Sequence, residues 1–600
     1  MRRLLDSMLQ SLKAETWYQL SGQVLDSVAM GRVSLEILNP GPQPIYNEDG
    51  SLCVMLDGEV YNPQYQSQRQ DLIRRGHVLQ TESDAELLLH LYEDCGENFV
   101  QGINGTFNAV LWDGPQRKLV IANDCFGSRP LYYSTQARFC FATEIKALLQ
   151  QSDFERKVNE EAAIEFFALR HILGDKTLFA DIRILPPATV LTYQDEQVTL
   201  ASHWMPAFEQ EPGTLQEHAE RLVVLLRQAV DRCMSREQSV GLLLSGGLDS
   251  RLLVGLVDRR HFPINTFTRG VPGCDDARLA QMVADRVGAQ HHFMETAPDF
   301  LIHRARRGVW LTDGLMTCTD FYELSTIEQL KQHVNVVCFG IPAGPLGGLG
   351  LSPALFDLDD GQLASRIYSM RTSFSDSWQS ALFSDHFYRN IKGVVLRNLQ
   401  QLLHDMPSTP SHIKAQLYFL RCYGPRSALH GPVLTRNMVE TVFPFADADL
   451  LDYTCRVPGR FRMNRVMEIE MFKRACPELA EIPWQFSGLP VSTSTPKRVR
   501  FQRALYRARK ELSWKTHGLF PLPERREQVN WPHWFRTVLR PWLEDILLSE
   551  RTLARDYFRR DGVRQLVQEH MTGQCDRSVV FGRLLTFELW NRLFVDGEAL

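Results

Sequence analysis

Several features that would assign a chain to a common class of protein are absent from this 600-residue sequence. It has no apolar run of the roughly 18 residues that a membrane-spanning helix needs, so we expect no membrane span. The formal net charge of −5 gives no overall attraction to nucleic acid or to an anionic membrane, so we expect no nucleic-acid partner. The basic N-terminus precedes no long apolar core and no small-residue cleavage site, which argues against a secretory signal.

Paired cysteines are also missing. The 12 cysteines are scattered, and no two of them form a Cys-x-x-Cys pair. This spacing argues against a zinc site and is typical of a protein in a reducing compartment. We therefore predict a cytoplasmic protein in which most cysteines are buried free thiols.

The chain divides into three regions with different patterns of predicted secondary structure. Residues 1–205 combine strands, hairpin turns and a few helices, which is typical of an α+β domain. After a linker at 203–214, residues 214–490 alternate helix and strand, which predicts an α/β domain with a doubly wound parallel sheet. Residues 491–600 read as a helical extension, with a basic amphipathic helix over 496–515 that most simply presents a solvated face.

The most informative segment is VGLLLSGGLDSRLLVGL at 240–256. The apolar run from Val240 to Leu244 predicts a buried parallel strand, Ser245-Gly246-Gly247 breaks it, and an apolar-periodic helix follows. Backbone N–H groups converge at the start of such a helix, where the helix dipole also favours an anion. Glycines let a phosphate approach the backbone closely. The segment therefore predicts a phosphate site, although a packing role for the glycines alone remains open.

Asp249 places a carboxylate inside this phosphate-binding turn, which makes sense mainly if a metal ion lies between them. No Gly-Lys-Ser/Thr follows, so the turn is not a common P-loop. The sequence SGGLDS resembles instead the pyrophosphate loop of the ATP-pyrophosphatases, which cleave ATP between its α- and β-phosphates. The resemblance implies ATP and Mg²⁺ as cofactors, with Asp249 as metal ligand and catalytic residue. Its predicted nucleotide-binding residues are Leu244, Ser245, Gly246, Gly247, Asp249 and Ser250.

Two blocks of sequence extend this resemblance to a family. The first resembles the glutaminase domain of the asparagine synthetases and comprises residues 46–62, 74–96, 103–113, 123–133 and 141–149. The second, SGGLDS with NTFTRG (265–270) and DDARLAQMVADRVGAQHH (275–292), resembles the synthetase domain of the same family. The family implies a four-layer Ntn-type sandwich followed by a sheet of ATP-pyrophosphatase type. It also places Thr268 and Gly340 beside the nucleotide.

The resemblance implies a carbon–nitrogen ligase. Family members activate a carboxylate as an acyl-adenylate, release pyrophosphate and let a nitrogen nucleophile attack to form an amide. Magnesium supports adenylation by neutralising charge on the phosphates. In ordinary members the nitrogen is ammonia, which a cysteine at the mature N-terminus releases from glutamine.

The glutaminase half departs from the family pattern. The chain begins Met1-Arg2-Arg3 and its first cysteine is Cys53, so either the start codon is assigned too late or the nucleophile is lost. Ser34 stands where an arginine would hold the glutamine carboxylate, and Asp57 replaces the asparagine of the oxyanion site. A carboxylate cannot donate a hydrogen bond to an oxyanion. Although Asp84 matches the acid that meets the glutamine amine, we expect no glutamine hydrolysis.

The synthetase half departs from the pattern too. In the second phosphate loop, VVCFGIPAGPLGG at 336–348, Gly340 matches the family, but Ile341, Gly344 and Pro345 replace the magnesium-binding acids. Candidate substitutes are Asp275, Asp276, Asp313 and Asp320, for which a solvated position at a helix start is an equally good interpretation. The family's catalytic lysine is missing after the next helix. Lys473, or alternatively Lys497, is the candidate replacement.

We therefore predict an ATP-dependent enzyme that forms an amide on a small-molecule or peptide carboxylate, with nitrogen from free ammonia or an amine of the substrate. The preferred specialised form is a lasso-peptide cyclase, ahead of a β-lactam synthetase, with a leader protease as a possible pathway partner. A homodimer is a further option. The alternatives are a glutamine- or ammonia-dependent asparagine synthetase and a nucleotide-binding pseudoenzyme or scaffold.

Overall fold

The structure is a computed structural model of the chain. It describes residues 1–62, 65–234, 239–372, 374, 376–495, 497–498, 501–502, 504–505, 508–509 and 527–600. Most of the basic segment predicted at 496–515 lies outside these residues.

The N-terminal region is built mainly from antiparallel strands. Its strands are β1 (Gln19–Val24), β2 (Ala29–Ser34), β3 (Ile45–Tyr46), β4 (Leu52–Val60), β5 (Gly105–Asp113), β6 (Lys118–Asn123), β7 (Tyr132–Ser134), β8 (Cys140–Ala142), β9 (Arg183–Ile184), β10 (Thr189–Gln194) and β11 (Gln197–Ser202). Its helices are α1 (Arg2–Leu12), α2 (Tyr65–Arg75), α3 (Asp84–Cys95), α4 (Ile145–Leu148) and α5 (Glu160–Leu169).

A six-stranded sheet in the order β11-β10-β6-β5-β4-β3 organises this region. The sheet packs against other elements on both faces. Leu87 and Leu88 of α3 share a core with Val54 of β4, whereas Met55 of β4 faces β2 and β7 on the other side. Helix α3 begins as the sequence predicts, because the Ser83 side chain accepts a hydrogen bond from the Ala85 N–H and caps the first turn.

The central region alternates helix and strand. Its strands are β12 (Val240–Leu243), β13 (Asn265–Gly270), β14 (Gln290–Glu295), β15 (Val336–Cys338) and β16 (Glu440–Val442). Its helices are α6 (Leu215–Met234), α7 (Leu248–Leu256), α8 (Asp275–Val287), α9 (Phe300–Leu311), α10 (Ile327–Lys331), α11 (Asp360–Arg371), α12 (Asp376–Leu382), α13 (Asp385–Ile391), α14 (Val394–His404), α15 (Ser411–Leu417), α16 (His430–Arg436), α17 (Ala448–Arg456), α18 (Gly459–Arg462) and α19 (Val466–Ala475). A π-helix at Tyr418–Ala428 joins α15 to α16.

The five central strands form one sheet in the order β14-β13-β12-β15-β16, and every neighbouring pair is parallel. The predicted mixed α/β fold with a C-terminal parallel sheet is therefore confirmed. Apolar β-branched and leucine residues form the middle strands because such strands are covered on both faces. The carboxyl ends of all five strands meet at one edge, which positions the loops described below.

The C-terminal helices are α20 (Trp531–Arg536), α21 (Arg540–Leu547), α22 (Glu550–Ala554), α23 (Arg560–Met571) and α24 (Ser578–Trp590). They pack on the earlier regions through one large hydrophobic cluster. Within it, the ring centroids of Phe167 in α5 and Phe587 in α24 lie 5.4 Å apart. The last helix therefore helps to fix the position of a helix of the N-terminal region.

The helices and the cysteines of the structure can be compared with the expectations of no membrane span and of free thiols. In the part of the chain that the structure describes, no helix combines the length and the apolar character needed to cross a bilayer. All 12 cysteines are free, and Cys95 is the exposed one.

The backbone at Gly58 in β4 tolerates no side chain. Its φ is +108°, and a Cβ would lie 1.9 Å from the carbonyl oxygen of Thr106. We expect Gly58→Ala to lower the free energy of unfolding by more than about 3 kcal/mol, since backbone must move. Thermal unfolding followed by circular dichroism measures the loss.

Gly41→Ala is the matched control for Gly58→Ala. Gly41 has a similar φ of +102°, but nothing lies within 4 Å of the point that a Cβ would occupy there. Only the conformational cost of about 1 kcal/mol then remains. Equal losses in the two variants would contradict the steric explanation.

Candidate active site

The crevice at the carboxyl edge of the parallel sheet lies where the chain changes direction. From β12 the chain adds β13 and β14 on one side, and then β15 and β16 on the other. Ligands of open parallel sheets bind at such a switch point. The loops that follow β12 and β15 flank it, and they contain SGGLDS and the glycine-rich segment at 340–348.

The loop after β12 is held by its own side chains and by α8. The Ser245 N–H donates to Oγ of Ser250 over 3.1 Å, and the Gly247 N–H donates to Oγ of Ser245 over 3.2 Å. The Gly246 N–H donates to Oδ1 of Asp276 over 2.8 Å. Helix α7 begins after Gly247 with no side-chain cap. The N–H groups of its first turn are therefore suited to bind an anion.

Thr268 and Gly340 lie against this loop from its two neighbouring strands. Oγ1 of Thr268 donates a hydrogen bond to the carbonyl of Leu244. The N–H of Leu244 in turn donates to the carbonyl of Phe267 over 2.8 Å. A Cβ on Gly340 would lie 3.6 Å from Cβ of Asp249 and 3.5 Å from the Ser250 nitrogen. The fold thus brings all eight predicted nucleotide-binding residues into one crevice.

A second carboxylate meets Asp249 in the crevice. Glu468, in the first turn of α19, is fully buried, and burial together with the neighbouring Asp249 carboxylate raises its pKa well above the ordinary value. Arg465 pairs with both acids: Nη2 lies 3.5 Å from Oδ2 of Asp249, and Nη1 lies 3.2 Å from Oε1 of Glu468. Three ionisable groups therefore form one cluster at the predicted metal position.

One oxygen of each acid has no hydrogen-bond donor. Among the described residues, nothing donates to buried Oδ1 of Asp249 or to buried Oε2 of Glu468. Two ionised carboxylates repel strongly in a low-dielectric site unless a proton or a cation lies between them. Carboxylate oxygens are the ligands that Mg²⁺ prefers. The donor set therefore fits the magnesium ion that the sequence predicts.

The second loop contributes space rather than charge. A Cβ on Gly347 would lie 3.2 Å from Oε2 of Glu468 and 3.3 Å from Nε of Arg465. The loop that lacks acids at Ile341, Gly344 and Pro345 thus lets an acid from α19 enter. Sequence reasoning missed Glu468, although a glutamate among the buried apolar residues of α19 is a signal that could have identified it.

The acids proposed from sequence as substitutes have other partners. Asp276 accepts from Gly246 and, over 2.7 Å, from Nε2 of Gln485. Oδ2 of Asp313 accepts from the Ile145 N–H over 2.7 Å, and Asp320 pairs with Arg170 over 2.5 Å. Asp275 lies 3.5 Å from Arg278. Asp276 therefore shapes the loop, and the other three acids pair with groups other than Asp249.

Lys473 follows Glu468 on α19. Nζ of Lys473 donates to the carbonyl of Ser494 over 3.3 Å. Five residues along a helix turn a side chain about 140° from the first, so Lys473 and Glu468 lie on different faces of α19. The positive charge that reaches Asp249 in this conformation belongs to Arg465.

The predicted oxyanion position of the N-terminal region is occupied by an ion-pair network. Buried Arg129 donates to Oδ1 of Asp57 over 2.7 Å and to Oε2 of Glu440 over 2.5 Å. Its Nε donates to the Thr106 carbonyl over 3.2 Å. Because Glu440 begins β16, this network joins the two regions. Asp57 thus accepts a hydrogen bond where an oxyanion site requires a donor.

The other residues considered for glutamine binding are also engaged. Buried Asp84 accepts from Nδ2 of Asn39 over 2.8 Å and from the Val60 N–H over 2.9 Å. Oγ of Ser34 accepts from the Glu36 N–H over 2.9 Å. Burial raises the pKa of the Cys53 thiol to about 11, which disfavours the nucleophilic thiolate.

A cavity of about 770 Å³ lies between this network and α1. Apolar side chains of α1, including Leu5 and Leu9, line one side, while Asp57, Arg129 and Glu440 line another. Asp249 is not among the residues that line this cavity, which is therefore separate from the crevice that holds Asp249.

Comparisons with known proteins cover most of the chain. A family model for a glutamine amidotransferase domain matches residues 8–204, and one for asparagine synthase matches residues 221–481. Asparagine synthetase [glutamine-hydrolyzing] 1 of Bacillus subtilis (strain 168) is 23% identical over 95% of this chain and 90% of its own. Asparagine synthetase [glutamine-hydrolyzing] 2 of Oryza sativa subsp. japonica is 32% identical over 49% of this chain and 46% of its own.

A solved structure resembles part of the chain at low similarity. It is the glutamine phosphoribosylpyrophosphate amidotransferase from B. subtilis, complexed with ADP and GMP. The match has 15% identity, covers 44% of this chain and 51% of that one, and has a TM-score of 0.21.

The charge cluster predicts a non-additive effect on stability. We expect Arg465→Met to lower the free energy of unfolding by about 1–3 kcal/mol, because it leaves two carboxylates facing each other without a cation. Adding Glu468→Gln should restore part of the loss, since the repulsion then disappears. Thermal unfolding without added metal measures both changes.

Arg474→Met is the matched control on the same helix. Arg474 pairs with Glu220 and Glu470 at the surface, so its loss should cost no more than about 1 kcal/mol. Strict additivity of Arg465→Met and Glu468→Gln would contradict the coupling.

Proposed function

This chain belongs to the asparagine synthetase family, and from that premise we propose that it activates a carboxylate as an acyl-adenylate at the Ser245–Ser250 loop. The family membership makes the chain an ATP-dependent carbon–nitrogen ligase. The second step of the proposal is attack of a nitrogen nucleophile on the adenylate, which forms the amide and releases AMP.

The observation that carries the proposal is the pair of carboxylates beside the phosphate loop. Oδ1 of Asp249 and Oε2 of Glu468 are buried acceptors without donors among the described residues, in a crevice lined by helix N–H groups. We assign the magnesium ion to these two residues. When bound, it would neutralise charge on the phosphates of ATP.

The protein's own groups then have separate roles. The N–H groups at the start of α7 bind phosphate oxygens, and Asp276 holds the loop in the conformation that presents them. The glycines at 340 and 347 keep the crevice open beside Asp249 and Glu468. Arg465 supplies a cation that can turn from the carboxylates to the phosphates. The role of Lys473 as a catalytic residue stays a prediction.

We further propose that the N-terminal region does not hydrolyse glutamine. The support is the Asp57–Arg129–Glu440 network, which puts an acceptor and a structural cation where an oxyanion site needs a free donor. The nitrogen then comes from free ammonia or from an amine of the substrate. The relatives named above are called glutamine-hydrolyzing, so this is a departure within the family.

Macrolactam formation on a peptide, as in a lasso-peptide cyclase, is the finer form of the proposal. Its support is indirect: an amine within the substrate removes the need for a glutaminase. A leader protease as pathway partner belongs to this form. Ammonia-dependent synthesis of asparagine is the alternative, which aspartate as a test substrate distinguishes.

The domain organisation, the location and the oligomeric state of the protein are also proposals. We propose a four-layer N-terminal sandwich at 1–205, a doubly wound ATP-pyrophosphatase domain at 214–490 and a helical extension at 491–600. The packing of α1 on β2 and of α3 on β4 favours the sandwich. The absence of disulfides among the 12 cysteines supports a cytoplasmic location. A homodimer remains a proposal.

Exchange of radioactive pyrophosphate into ATP tests the adenylation step. With Mg²⁺ and candidate carboxylates, including aspartate, the native chain should catalyse exchange. Asp249→Ala and Glu468→Gln should each reduce the rate by about 100-fold or more, because each removes a carboxylate that would hold the magnesium ion.

Glu470→Gln is the control for this experiment. Glu470 lies two residues from Glu468 on α19 but pairs with Arg474, so exchange should be unchanged. Full exchange in Glu468→Gln would refute the role given to Glu468. A native chain that binds ATP yet exchanges with no carboxylate would favour the pseudoenzyme.

The source of nitrogen can be measured directly. We expect no release of glutamate from glutamine. The product that forms with labelled ammonium should contain ¹⁵N, whereas no ¹⁵N should reach it from amide-labelled glutamine. Mass spectrometry of the product checks both points. Transfer of the glutamine label would contradict the assignment of Asp57 and Arg129 to a structural role.

A further inference from the structure

A cluster of two histidines and two glutamates lies in the N-terminal region, outside the crevice. Glu48 follows β3, His77 follows α2, and His90 and Glu93 lie on α3. One ligand atom from each of the four side chains falls within 4.8 Å of all the others. His90 is buried, and His77 and Glu93 are half-buried. Three separate segments thus direct metal-ligand groups at one point.

The ligand atoms of both histidines lie against one carboxylate oxygen. Nε2 of His77 lies 3.0 Å from Oδ1 of Asp94. The other ring nitrogen of His77, Nδ1, lies 3.2 Å from Oε2 of Glu93. Nδ1 of His90 lies 2.6 Å from the same oxygen. The Nδ1 atoms of the two histidines thus converge on the same oxygen of Glu93.

Each ligand is also held by a partner behind it. Asp94 orients His77, and Nδ2 of Asn47 donates to the other oxygen of Glu93, Oε1, over 2.8 Å. The Val78 N–H donates to Oε1 of Glu48 over 2.7 Å. Metal-binding histidines and carboxylates typically have such supporting hydrogen bonds. These bonds hold three of the four ligand groups in place.

The charge and donor types indicate which metal would bind. Two neutral imidazoles and two carboxylates carry a charge of about −2, which a divalent cation balances. Imidazole nitrogens exclude a preference for Mg²⁺ or Ca²⁺, whereas four nitrogen and oxygen donors suit tetrahedral zinc. We propose that Glu48, His77, His90 and Glu93 form a structural zinc site that fastens the β3–β4 turn and the α2–α3 loop to α3.

Zinc binding by the full-length chain tests the proposal. Titration with zinc chloride against a chromophoric chelator should show one tight site per chain. His77→Gln and Glu93→Gln should each weaken that site by about 100-fold or more, since each removes a ligand. Zinc should also raise the unfolding temperature of the native chain and not that of His77→Gln.

Two controls separate this site from other zinc ligands. His404 is 75% exposed and far along the chain, so His404→Gln should bind zinc as the native chain does. Cys95 is an exposed thiol next to Asp94, and Cys95→Ser should likewise retain full affinity.

X-ray absorption of the zinc-loaded native chain needs no variant. It should show nitrogen and oxygen ligands with the scattering of two imidazoles and no sulfur. Sulfur in the ligand shell, equal zinc affinity in His77→Gln, or the lack of a tight site in the native chain would each overturn the proposal.

Discussion

The rest of the candidate active site depends on the contact between the carboxylates of half-buried Asp249 and buried Glu468. Two like charges at such a position are unstable without a cation. Arg465 provides one in this conformation, and the glycines at 340 and 347 leave space around all three groups. The parallel sheet makes the contact possible, because it brings the ends of β12 and β15 to one edge.

The same electrostatic constraint operates where the two regions meet. Arg129 is buried and would be unstable alone, so it requires both Asp57 and Glu440 as partners. Its pKa is raised because the attraction of these two carboxylates outweighs the effect of burial. A substitution at the oxyanion position is therefore tied to the packing of β16 against the N-terminal region. The single substitution Asp57→Asn would therefore remove one of the two carboxylate partners of Arg129.

Local signals made the β12–α7 turn and the parallel sheet predictable from sequence. An apolar strand, two glycines and a helix start define the β12–α7 turn within a few residues, and the Ser83 cap defines α3 in the same way. Glu468 was not predictable by comparing loops, because the acid arrives from a helix distant in sequence. The His77–His90 cluster was missed since cysteine spacing was the guide to zinc, whereas its ligands are imidazoles and carboxylates.

The position of a charge in a site and the residue that supplies this charge can vary independently. The second loop lacks the family's acids, yet a carboxylate stands beside Asp249 because α19 provides it. At the predicted oxyanion position the reverse holds, because the Asp57 carboxylate pairs with Arg129 and can only accept a hydrogen bond there. Under the proposed function, the loss of motif residues therefore has opposite consequences in the two halves. The crevice keeps a pair of carboxylates that would hold the magnesium ion, whereas the predicted oxyanion position has an acceptor in place of a donor.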